Sequence, residues 1–94
     1  MALVHLNSTA GTTPTMICQV QSGLSRNVAV QIQNGDSASI WIGDSSITTT
    51  GATKGHVITA GTTFQLWCNS GDKIYAISST GSAAGSIVIT YSGN

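Results

Sequence analysis

Apolar and polar positions alternate in pairs along much of this chain, most clearly from Val28 to Gly43, VAVQIQNGDSASIWIG. Val28, Val30 and Ile32 interleave with Ala29, Gln31 and Gln33, and Ala38, Ile40 and Ile42 resume the period after Asn34-Gly35-Asp36. A period of two sends successive side chains to opposite faces, so the stretch predicts two strands, each with one buried face, joined as a central hairpin. A two-residue Asn-Gly turn would set Ile32 opposite Ser37 and split the apolar sets between the two faces. The pattern therefore predicts a bulged or longer turn, of about three residues with Ile32 opposite Ala38, or about five with Ile32 opposite Ile40.

The remaining segments follow in order. Ala2 to Asn7 alternates weakly and predicts a strand or an arm, followed by loop to Thr15; Met16, Cys18 and Val20 then alternate with Ile17, Gln19 and Gln21 as a second strand. Asp44 to Gly55 is Ser, Thr and Gly broken by Ile47 alone, a long loop expected to lie outside the core and to contact a partner. Strands are predicted at His56 to Thr59, Thr63 to Asn69, Lys73 to Ser79 and Ser86 to Tyr91. In the second of these, Phe64, Leu66 and Cys68 share one face, leaving Thr63, Gln65 and Trp67 on the other. No segment holds a 3.6-residue period long enough for a helix. The fold class expected is all-β: a single antiparallel β-sandwich or small barrel of seven to eight short strands, jelly-roll-like or Ig-like, without a helix. Residues 1–15 form an N-terminal strand or arm and loop, and 16–94 the sandwich, within one domain.

Charge changes this picture by what it removes. Only 6% of the 94 residues are charged, against about 25% in ordinary soluble proteins, and the three basic residues cancel the three acidic ones. Without a Lys/Arg cluster there is nothing to neutralise phosphates, so nucleic acid is not an expected partner. No apolar run reaches transmembrane length, and the start lacks a basic leader with a long apolar segment, so neither membrane insertion nor export by that route is expected. Asn7-Ser8-Thr9 matches a glycosylation acceptor only by chance on that reading. A chain without net charge also lacks the repulsion that keeps small domains apart, which fits a protein that stays assembled. Cys18 and Cys68, read in a reducing cytosol, are expected to be buried free thiols.

Candidate chemistry is sparse. His5 and His56 have no carboxylate or cysteine at ligand spacing, no GxSxG elbow occurs, the three aspartates sit in Gly/Ser turns, and a phosphate loop would need a helix to follow it. No catalytic, cofactor-binding or metal residues are assigned, and an enzyme is not expected. The aromatics carry more. If Ile40 and Ile42 point inward, Trp41 points out, and by the same argument so does Trp67. Both are candidate interface residues, since buried tryptophan dominates many contacts, and Ile47, Thr48, Thr49 and Thr50 join them from the long loop. Each Trp could equally cover a sheet edge, or serve as a stacking platform for a sugar.

From Val28 onward, the segments WIGDSSITTTGATKG, VITAGTTFQLWCNSGDKIYAISSTGS and AAGSIVITYSG, short strands joined by Gly-Asp and Ala-Gly turns on a Ser/Thr-rich surface, resemble the small β-rich head-decoration or cement proteins and related minor structural proteins of tailed bacteriophages. That resemblance covers about two thirds of the chain and leaves residues 1–27 unmatched. It implies a virion protein made in the host cytoplasm and carried on the outer capsid surface, where it bridges and stabilises major capsid subunits. The implied assembly is a homo-oligomer, a trimer favoured, with no cofactor. A tail or baseplate protein and a carbohydrate- or receptor-binding module are the alternatives.

Overall fold

The computed structural model describes residues 2–93, which form eight strands: β1 (Ala2–Ser8), β2 (Thr15–Gln19), β3 (Val28–Asn34), β4 (Ile40–Gly43), β5 (His56–Ile58), β6 (Thr63–Cys68), β7 (Lys73–Ile77) and β8 (Ile87–Gly93). They build two four-stranded sheets, β1-β8-β3-β6 and β2-β7-β4-β5, in which every ladder is antiparallel. The all-β sandwich read from the alternation is the observed fold.

Its topology is that of a jelly roll. The ladders β1–β8, β2–β7, β3–β6 and β4–β5 are successive rungs of one long antiparallel ribbon, and they fall alternately in the first and second sheet. β3–β8 and β4–β7 close each sheet across the roll. An immunoglobulin sandwich puts its first and last strands in different sheets, whereas β1 and β8 are neighbours here. The core lies between the sheets, with Val30, Ile32, Ile87 and Ile89 on one side and Ile40, Ile42, Ile58, Ile74 and Ala76 on the other, all in one buried cluster.

The central hairpin is not formed. β3 pairs with β6 and β8, β4 with β5 and β7, and the two strands lie in different sheets. Their inward faces, Val30 and Ile32 on one and Ile40 and Ile42 on the other, belong to the same core from opposite sides. Alternation identifies the inward face of a strand without identifying its neighbour, and both arrangements satisfy it. The crossing is held by Asn34, whose buried amide Nδ2 donates to the carbonyls of Ala38 (2.9 Å) and Ile58 (2.8 Å) while its Oδ1 accepts from Asp36 N–H (3.0 Å).

Two other expectations change. In β2 a register shift between Met16 and Cys18 inserts Ile17, so that Ile17 and Cys18 are both buried and Met16 is exposed, where simple alternation placed Ile17 outside. At the N-terminus every residue of β1 pairs with β8, from Ala2↔Gly93 to Ser8↔Ile87. This segment is therefore an edge strand of the sandwich. Met1 and Asn94, the outer ends of the ranges 1–15 and 16–94, lie outside the described residues.

Candidate functional site

The two tryptophans stand on the outer faces of opposite sheets. Ile40 and Ile42 are buried, so Trp41 projects from the β2-β7-β4-β5 sheet, where its cross-strand neighbours are Val57 on β5 and Ile77 on β7. The next rung places Tyr75 between Gly43 and Met16. Val57 and Met16 are 44% and 46% exposed, and Trp41 and Tyr75 are half-buried. The result is an apolar stripe across all four strands.

On the opposite sheet, Trp67 is 69% exposed and stands beside Ala29. That face reads across the strands as His5, Thr90, Gln31, Gln65 and, one rung on, Asn7, Val88, Gln33, Thr63. These rungs carry no Asp, Glu, Lys or Arg, only amides, hydroxyls, one imidazole and one valine. Leu3, 76% exposed on β1, is the other large apolar group there.

The long loop is more organised than its composition predicts. Thr48 pairs with Lys54 in a parallel bridge, Thr48 N–H donates to Thr53 O (3.0 Å), Gly55 N–H to Thr48 O (3.0 Å), and the Thr48 hydroxyl to Thr50 O (2.6 Å). Ile47, expected outside the core and against a partner, is instead 6% exposed and packs against Gly43, where an added Cβ would collide with its Cγ2. Thr48 and Thr50 are exposed and Thr49 half-buried. At the start of the loop Asp44 Oδ1 accepts from Ser46 N–H (2.9 Å) and the Ser46 hydroxyl (2.7 Å), and these bonds hold its carboxyl below the usual range.

A cleft that no sequence pattern signalled opens between the free edges of β5 and β6. A first compartment of about 430 Å³ is lined by the inward-facing Ile42, Phe64 and Leu66, by Trp67 from the outer side of β6, and by His56, Asp44, Asp72 and Lys73. His56 stacks on Phe64 with ring centroids 4.1 Å apart, which fixes the imidazole at the mouth. A second compartment of about 380 Å³ shares Ile42, Gly43, Asp44 and His56 with the first and continues to Ser46, Thr53 and Lys54 on the loop. These residues come from β4, the long loop, β5, β6 and the start of β7, and the pairing of these strands into two sheets brings them together.

Cys18 and Cys68 are both buried and unlinked. Burial, with Cys68 adding to it, pushes the Cys18 thiol up to about 11, and burial followed by the Asp72 charge raises Cys68. Neither is a nucleophile near neutral pH. Among the described residues, no group of three or more His, Cys, Asp or Glu is placed to hold a metal ion. Compared with known protein families, with curated proteins and with solved structures, the chain matches none.

Proposed function

We propose that this chain is a non-enzymatic virion structural protein, a capsid decoration or cement protein that sits on the outer head surface and bridges neighbouring major capsid subunits. The observation that carries the reading is the apolar stripe on the outer face of the β2-β7-β4-β5 sheet, with Trp41 between Val57 and Ile77. A partly exposed tryptophan flanked by aliphatic groups has the composition of an interface centre, depleted in charge and able to bury large area at small entropic cost. Copies repeated over a symmetric shell convert modest affinity per seam into strong retention. The neutral chain sets no net repulsion between copies, and the assembly proposed is a homotrimer suited to three-fold positions on the shell.

The test has two arms. Gold-labelled antibody against the protein is applied to virions from cells expressing it, and label on heads is the expected result; label confined to tails moves the protein to the tail or baseplate, and unlabelled particles overturn the reading. In the second arm, purified protein is cosedimented with undecorated heads. Trp41→Ala is expected to reduce the bound fraction at least about tenfold while Trp67→Ala leaves it unchanged.

A further inference from the structure

We propose that the cleft between β5 and β6 is a binding site for a neutral oligosaccharide, with Trp67 as its stacking platform. The assignment follows from the match between the cleft and the two surfaces of a pyranose ring. Such a ring has an apolar face of C–H groups, which packs on the electron-rich face of an indole, and an equatorial rim of hydroxyls that both donate and accept hydrogen bonds. Trp67, 69% exposed, lines the cleft from the outer side of β6, and Phe64 with Leu66 line it from the inner side of the same strand. Around them stand acceptors, the Asp44 and Asp72 carboxylates, and donors, the Lys73 ammonium and the His56 imidazole.

Charge selects among the ligands that combine a ring with polar groups. The two compartments together carry two aspartates, Asp44 and Asp72, and two lysines, Lys54 and Lys73, so no net charge is offered to a phosphate, sulfate or carboxylate. A nucleotide or acidic glycan would meet as much repulsion as attraction, whereas a neutral sugar uses both signs as hydrogen-bonding groups. The continuity of the compartments through Asp44 and His56 gives the site a long axis, which suits two or more linked sugar rings better than one. Each compartment falls within the range of about 300 to 1,000 Å³ common to small-molecule sites.

The cleft borders the stripe through β4 and β5, and the two readings are told apart by their tryptophans, since Trp67 and Trp41 lie on opposite sheets. The test is a titration of the ¹⁵N-labelled protein, followed by NMR, with maltotriose, cellotriose, chitotriose, mannotriose and galactobiose, and with sialyllactose and inorganic phosphate as anionic probes. Each is added to about 10 mM, a tenfold excess over a Kd of about 1 mM. The expected result is saturable shifts for at least one neutral sugar at the Trp67 indole N–H and at His56, Asp72 and Lys73. Trp67→Ala, at an exposed position that leaves folding intact by circular dichroism, is expected to weaken binding at least about tenfold, and Trp41→Ala to leave it unchanged. No cleft shift with any neutral sugar, shifts that survive Trp67→Ala, or stronger binding of the anionic probes would each overturn the proposal.

Discussion

Asn34 shows how one side chain decides a path. It is fully buried, and its amide satisfies two carbonyls from different segments, Ala38 and Ile58, while its carbonyl oxygen takes the Asp36 N–H. Asn34→Ala strands those groups without water and is expected to cost about 2 to 3 kcal/mol, lowering the melting temperature by roughly 10 to 20 °C. Asn34→Asp is expected to be worse near neutral pH, because a carboxylate faces two carbonyl oxygens, and to recover partly as acid protonates it; melting curves at several pH values check both. Cys18 acts at the other end of the scale. Its thiol titrates at about 11 in the folded protein, above the ordinary value of 9.0. Below 9 both folded and unfolded chains keep the proton. Between 9 and 11 only the unfolded chain releases it, so stability falls as pH rises through that window. In urea unfolding between pH 8 and 11, Cys18→Ala is expected to make that decline shallower.

At the scale of elements, β2 separates pattern from structure most sharply. Alternation from Met16 through Val20 assigns Met16, Cys18 and Val20 to the core and leaves Ile17 outside. The bulge exchanges Met16 and Ile17 and leaves Cys18 buried, with Ile17 5% exposed against 46% for Met16. Ile17→Ala is therefore expected to cost about 2 to 4 kcal/mol in chemical denaturation, with Met16→Ala near zero. Elsewhere the alternation was readable: Phe64, Leu66 and Cys68 face in and Thr63, Gln65 and Trp67 face out, and Ile87, Ile89 and Tyr91 are buried along β8. A bulge adds one residue to one strand only, and nothing in MICQV announces that the extra residue is Ile17.

For the whole molecule, electrostatics is the weak force. Four of the six charged residues, Asp44, Lys54, Asp72 and Lys73, line the cleft, and the stripe around Trp41 includes none of the six. Under the proposed function, binding through that stripe would rest on apolar burial, so its affinity is expected to change less than about threefold between 50 mM and 500 mM NaCl, measured by cosedimentation with heads. A steep loss with salt would place the contact on Lys54, Lys73 or Arg26 instead.

The sequence by itself determined the class of the fold, the approximate extent of nearly every strand, the inward face of most of them, the outward direction of Trp41 and Trp67, and the burial of both cysteines. All of these follow from local quantities: a period of two, turn residues between the runs, and too few charges to form a charged face. The tertiary structure alone decided which strands are neighbours, that β3 and β4 part into different sheets, that Ile47 turns inward from a polar loop, and that Trp67, His56, Asp44, Asp72 and Lys73 surround one cleft. The physical reason is that alternation constrains a strand about its own axis only. Its neighbours are chosen by the fit of all eight strands around a shared core, and in a jelly roll that choice joins the first strand to the last.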